Sequence, residues 1–208
     1  MDYRFEIETK TVVYKGFFQM EKYRLRHELF AGGMSPLISR ECLERGQAVA
    51  VLPYDPQRDR VVLIEQFRVG ALAQQDGPWL LEIVAGIIGP GESKLEVARR
   101  EAMEEAGCEL LDILPVCEYL VSPGGTTEGI TLYCGRVDST GIGGVHGLAE
   151  EHEDIRVLVV SSEEALALLH SGRVLSATTL IALQWLALQR EALRERWGQT
   201  AKNDAQSG

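Results

Sequence analysis

The chain has 208 residues, enough for one domain with a smaller appendage, and 45% hydrophobic with 25% charged residues is a composition that can bury a full core. Its formal net charge of −10, with no basic stripe, excludes a nucleic-acid footprint, and an anionic ligand would need divalent cations between the two negative charges. No run of about 18 apolar residues exists, the N-terminal MDYRFEIETK lacks a leader-like apolar stretch, and Cys42, Cys108, Cys117 and Cys134 show no ligand spacing, so we expect free thiols, no membrane span and a cytoplasmic location.

In chain order, FEIE, TVVY and YRLRHEL within residues 3–30 read as strands, being β-branched or aromatic and roughly alternating. AGGMSP (31–36) is a loop and LISREC alternates again. AVAVLPY (48–54) and RVVLIEQF (60–67) form a hairpin around the turn DPQRD, and WLLEIVA (79–85) is a further buried strand. Ser93 followed by Glu96 is a capping box, so a helix starts there, and Gly107 suits the position that ends it. EYLV and GITLYCGRV are strands split by the loop SPGGTT, and residues 139–153 are a long, Gly-rich acidic loop. IRVLVV is a strand, Ser161 with Glu164 caps a second helix that stops at Gly172, and 177–197 form a third. The organisation is α+β: a β-rich segment over 1–45, a sandwich with a mixed sheet over 46–197, and a flexible polar tail over 198–208.

The first helix carries the chemistry. At 100° per residue, Glu101, Glu104 and Glu105 fall within an arc of about 100°, while Leu95, Ala98, Ala102 and Ala106 occupy the neighbouring, core-facing arc. Like charges at i,i+4 destabilise a helix, so Glu101 and Glu105 need a partner, and a hard divalent cation supplies one. Three glutamates alone also fit a solvated acidic face. The spacing Gly86-x5-Glu92-x7-Arg100-Glu101-Ala102-x-Glu104-Glu105-x-Gly107-Cys108 resembles the Nudix box, with Ala102 where the family more often has a larger aliphatic residue.

RGQAVAVLPYDPQRDRVVLIEQFR before the box, SPGGTTE after it and GLAEEHEDIRVLVVSSEEALALL further on are similar to the bacterial ADP-ribose pyrophosphatase subfamily, over roughly residues 10–197. The resemblance implies a Nudix-type α/β/α sandwich with a small β-rich N-terminal dimerisation segment exchanged between two subunits of a homodimer. It implies two or three Mg²⁺ (or Mn²⁺) ions per active site, held by Glu101, Glu104, Glu105, Glu153 and the carbonyl of Ala85, with Glu92 and Arg100 as a structural ion pair. Arg68 would contact the diphosphate; Ser122, Pro123 and Gly124 would shape the pocket; Glu128 would hydrogen-bond substrate. Phe17, Phe18, Arg40, Glu41 and Arg45 sit where adenine contacts are expected, although an aromatic in KGFFQM suits a dimer core equally. The general base matches Glu151, with Glu150 and His152 as neighbours able to take part in proton transfer.

The expected activity is Mg²⁺-dependent hydrolysis of ADP-ribose, a nucleoside diphosphate sugar, to AMP and ribose 5-phosphate. The alternatives are hydrolysis of GDP-mannose or another nucleotide sugar, and a domain that binds a nucleotide sugar without turning it over.

Overall fold

A computed structural model describes residues 3–204, with side chains over 3–198. The chain divides into two compact units, residues 1–47 with 119–130 and residues 48–118 with 131–208. The first therefore holds more than the N-terminal segment.

In the first unit, β1 (Phe5–Lys15), β2 (Gln19–His27) and β3 (Ile38–Glu44) make an antiparallel sheet in that order. FEIE and TVVY merge into the single strand β1, because register shifts between Ile7 and Thr9 and between Val12 and Tyr14 absorb the irregularity as bulges. Residues 119–130 join the sheet through Leu43, whose N–H donates to the Gly125 carbonyl (2.8 Å) and whose carbonyl accepts from Thr127 N–H (3.1 Å). Every residue of β1 is exposed.

The remaining strands are β4 (Gln47–Asp55), β5 (Arg60–Phe67), β6 (Trp79–Glu82), β7 (Val84–Ile87), β8 (Asp112–Leu120), β9 (Gly129–Arg136), β10 (Gly144–His146) and β11 (Ile155–Ser161). They form one sheet in the order β10-β11-β5-β4-β9-β8, with β6 on β5 and β7 on β4. The β4–β5 hairpin is paired only at Tyr54–Val61 and Asp55–Arg60. Beyond that the two strands take β7 and β6 as partners, which is why WLLEIVA is two strands and not one.

Three helices complete this unit: α1 (Lys94–Ala106), α2 (Ser162–Ser171) and α3 (Ala177–Asp204). The capping boxes form as the sequence indicates, Ser93 with Glu96 and Ser161 with Glu164, and Gly107 and Gly172 end their helices in the left-handed conformation. The third helix continues past Gly198 to Asp204. Helices cover both faces of the sheet. Val49, Val51, Val62 and Ile64 pack with Val97, Ala98, Ala102 and Ala106 of α1. Alternate residues point the other way, where the Tyr54 ring lies 6.5 Å from Trp197 of α3 and Arg190 bonds Asp59 at 2.9 Å. Leu95, expected in the core, is half exposed, and Val97 takes its place.

The 139–153 stretch is not one open loop. Its start is tied down by Asp55, which accepts from the Ser139 N–H (3.0 Å) and hydroxyl (2.7 Å). Residues 144–146 form β10, paired with β11, and Ala149–Glu151 make one 3₁₀ turn. All four cysteines are unpaired, and among the described residues no helix is long and apolar enough to cross a membrane.

Candidate active site

Candidate residues fall in both units and are taken unit by unit. In the second, β7 leads straight into the box loop, and α1 brings its glutamates against it. Glu105 lies on the same side of the helix as Ala98, Ala102 and Ala106, so it is buried at 3% exposure instead of facing away from the core. Its carboxylate accepts the Ala85 N–H at 3.0 Å. Glu101 folds over Gly86, where a Cβ would run into its carboxylate; only glycine permits that approach.

Arg100 holds the outer side of the cluster. It bonds Glu92 (3.2 Å), Glu101 (2.9 Å) and Glu104 (2.8 Å), so the expected Glu92–Arg100 pair is real but is one arm of a fork. Glu153 comes from the other direction. Its carboxylate accepts the Leu148 N–H at 3.2 Å, and its charge is felt at both Glu101 and Glu105. Glu151 sits exposed on the 3₁₀ turn with Glu150, and His152 follows in the left-handed conformation (φ 56°).

Arg68 is half-buried at the end of β5, where Nε and a terminal nitrogen both reach Glu82 at 2.8 Å; Gln66 reaches the same carboxylate at 3.3 Å. The sequence reading missed Glu82. The only signal for it was a lone acid inside the apolar run WLLEIVA.

The electrostatics are first those of carboxyl groups held out of water. Burial pushes Glu105 up to about 8; the Ala85 hydrogen bond opposes this, and the fields of Glu101 and Glu153 add to it. Burial pushes Glu101 up to about 7 against the pull of Arg100, with Glu104 and Glu153 reinforcing the rise. Among the described residues no three His, Cys, Asp or Glu side chains are gathered at ligating distance. Glu104 is turned to Arg100, Glu105 to the Ala85 amide and Glu153 to the Leu148 amide. The donor set nevertheless fits a hard cation: oxygen ligands only, partly buried, with two carboxylates at raised proton affinity in one another's field.

In the first unit, Arg45 bonds Glu128 at 3.2 Å and its guanidinium lies 5.2 Å over the Phe18 ring. Phe17 stacks edge-on against Phe18 at 4.8 Å and is 90% exposed. Arg40 and Glu41 are exposed on β3, opposite Tyr23 and Lys22 of β2. Ser122, Pro123 and Gly124 form an exposed turn in which the Ser122 carbonyl accepts the N–H groups of Gly125 and Thr126, each at 3.0 Å. The structure thus groups Phe17, Phe18, Arg45 and Glu128 in one contact network and leaves Arg40 and Glu41 outside it.

The NUDIX domain family matches residues 44–181. The chain is 51% identical over 192 residues to the ADP-ribose pyrophosphatase of Escherichia coli strain K12, covering 92% of each chain. It is 43% identical over 195 residues to that of Haemophilus influenzae, covering 92% of this chain and 90% of the other. The GDP-mannose pyrophosphatase of Cronobacter sakazakii is 37% identical over 152 residues, covering 72% and 78%. A solved structure of an ADP compounds hydrolase superposes with a TM-score of 0.65 at 21% identity, over 89% of this chain and 96% of that one, and shares the fold. A domain match over more than half the chain, resting on a box whose glycine, arginine and glutamates meet in one place, makes this protein a member of the Nudix family.

Proposed function

We propose that the protein is a Mg²⁺-dependent diphosphatase that hydrolyses ADP-ribose to AMP and ribose 5-phosphate. One observation carries this reading: the box helix sets Glu101 against Gly86, bonds the buried Glu105 to the Ala85 N–H and ties Glu101 and Glu104 to Arg100, so that the box carboxylates are partly buried in one place. The high identity to relatives named ADP-ribose pyrophosphatase, over nearly the whole of both chains, supports the choice of substrate.

Mg²⁺ or Mn²⁺, two or three ions to a site, would be held by Glu101, Glu104, Glu105, Glu153 and the Ala85 carbonyl. Bound there, the ions neutralise the diphosphate and make water easier to deprotonate. Arg100 keeps Glu101 and Glu104 in place through its fork, with Glu92 fixing the box loop to the helix. Arg68, held by Glu82, presents its remaining N–H groups to diphosphate oxygens. Glu151 accepts the proton of the water that attacks one phosphorus; the P–O bond to the bridging oxygen breaks, and that oxygen leaves with the other phosphate. Phe17 and Phe18 offer ring faces to adenine, with Arg45 over the Phe18 ring and bonded to Glu128, and Arg40, Glu41, Ser122, Pro123 and Gly124 are the further substrate contacts that the family resemblance implies.

The exposed side chains of β1 and the turn after it, including Phe5 (68%), Tyr14 (65%) and Phe17 (90%), are too apolar to stand in water, and we assign a second copy to cover them. A homodimer with exchanged N-terminal strands and a cytoplasmic location belong to the same proposal.

The test is a turnover panel of ADP-ribose, GDP-mannose, other nucleotide sugars and a nucleoside diphosphate, each with Mg²⁺ and with EDTA. ADP-ribose turned over fastest, and only with metal, is the expected result. GDP-mannose fastest would transfer the chain to the second kind of relative, and tight binding without turnover would make it a sensor.

A further inference from the structure

The segment carrying Glu151 and Glu153 is attached to the box helix, and the attachment involves a histidine that no step of the proposed chemistry uses. At the end of α1, the Gly107 N–H bonds the Met103 carbonyl (3.0 Å) and the Cys108 N–H bonds that of Ala102 (2.9 Å). This closure leaves the later carbonyls of the helix without partners from within it. The Glu104 carbonyl finds its partner in the Gly147 N–H at 3.1 Å. Beside that bond the His146 ring lies against Gly107, so close that a Cβ there would stand 2.7 Å from its Cε1. Its Nε2 meets the Gly143 carbonyl at 2.9 Å, which requires the proton on Nε2.

The next contacts run to Glu153. Gly147 (φ 104°) is packed beneath it, with the Glu153 Cβ 2.6 Å from where a Gly147 Cβ would be. Leu148 and Glu153 exchange hydrogen bonds: the Leu148 N–H to the carboxylate, and the Glu153 N–H to the Leu148 carbonyl, each at 3.2 Å. Strand pairing of His146 with Ile155 closes the circuit behind them.

We propose that His146 is a positioning residue: seated on Gly107, it clasps the loop to the C-terminal turn of α1 and so sets where Glu153 stands beside Glu101 and Glu105. The inference rests on the hydrolytic reading of that site. With Ser139 tied to Asp55 and Gly147 tied to Glu104, the glycines at 141, 143 and 144 lie between two anchored points. Mutations of residues that orient ligands typically cost about 10–100-fold in metal affinity, which sets the scale expected here.

The test compares full-length wild type with His146→Ala and His146→Gln, the glutamine amide being able to reach the Gly143 carbonyl and lie over Gly107. Hydrogen exchange of the metal-free protein is read at the Gly147 and Glu153 amides, and the Mg²⁺ concentration for half-maximal turnover is read separately. In His146→Ala both amides should exchange about tenfold faster or more, with core strands unchanged. The Mg²⁺ requirement should rise about tenfold, with KM for ADP-ribose little changed. His146→Gln should recover most of each effect. Wild-type exchange and Mg²⁺ dependence in the alanine variant would overturn the proposal, as would a glutamine variant no better than alanine. Faster exchange throughout the core would assign His146 to general stability and overturn it equally. The exchange readout needs no activity, so a wild-type protein without turnover would remove the hydrolytic reading while leaving the clasp to be judged by itself.

Discussion

Glu105→Gln isolates what the buried carboxylate costs the fold. The carboxyl is held up at about 8 against an ordinary 4.5, so between those values the folded protein keeps a proton that the unfolded chain has released. For an acid raised in this way stability is full below about 4.5, falls as pH rises, and levels off above about 8. At about 1.4 kcal/mol per unit, the 2.5 units from pH 4.5 to 7 amount to about 3 kcal/mol. Glutamine keeps an acceptor for the Ala85 N–H and does not titrate, so its own packing cost is the same at every pH. In EDTA the gap between variant and wild type should therefore move in the variant's favour by about 3 kcal/mol from pH 4.5 to 7. That is about 6–12 °C in melting temperature for a chain of this size. Thermal or urea melts at half-unit pH steps measure it. Adding Mg²⁺ should stabilise the wild type alone and close the gap. Parallel pH curves for the two proteins would show that Glu105 ionises freely in the fold, and the account of an uncompensated site would be wrong.

Glu105→Gln and Glu101→Gln should each lower kcat by about two to four orders of magnitude at saturating Mg²⁺, and near-normal turnover of either would remove it from the ligand set. Glu151→Gln should cut kcat while leaving KM and Mg²⁺ dependence close to wild type, whereas Glu153→Gln should raise the Mg²⁺ requirement and His152→Ala do little; a damaging His152→Ala beside a mild Glu151→Gln would move the base to the histidine. Asp59 is opposed by burial but held down to about 2 by the hydrogen bonds of Arg190 and Tyr54, so its contribution is present above about 3.8 and lost as pH falls toward 2. Arg190→Ala should accordingly destabilise at pH 6 by up to about 2 kcal/mol and by much less at pH 2.5 in urea melts. Removing residues 1–40 should leave an aggregating or poorly active protein, and a fully active monomer by light scattering would refute the assigned dimer.

The features legible in the sequence were those set by local rules. Ser93 and Ser161 announce their helices because a cap needs only a side chain and the amide three residues on. Periodicity of 3.6 residues puts the box glutamates on one arc, and their spacing from Gly86, Glu92 and Arg100, through its resemblance to the Nudix box, gave that arc a meaning beyond a solvated face. Which side of that arc is buried depends on how α1 is rotated over the sheet, and periodicity does not contain that. Thus Glu105 lies with Ala102 and Ala106 in the buried surface, while Leu95 is left half exposed. Glu82 as the partner of Arg68, and residues 119–130 as part of the N-terminal unit, depend on strand pairing between distant segments. The clasp at Gly147 depends on a backbone carbonyl, which carries no signature in the residue code.

The pairing of the arginines bears on the cation that the proposed chemistry would use. The substrate proposed here brings a diphosphate to a protein of net charge −10. Arg100 is shared among Glu92, Glu101 and Glu104, Arg68 is matched by Glu82, and Arg45 by Glu128. Each arginine therefore orients donors without adding net positive charge, because its carboxylate partner cancels it at long range. Glu101 and Glu105 are partly out of water, where burial first and the fields of neighbouring carboxylates second raise their proton affinity. A protein that supplied its own neutralisation would place lysines or unpaired arginines here and would bind phosphate without metal. Here Arg68 and Arg100 are both held by carboxylates. The affinity for an anion must then arrive with the cation, and substrate binding, like turnover, should vanish in EDTA.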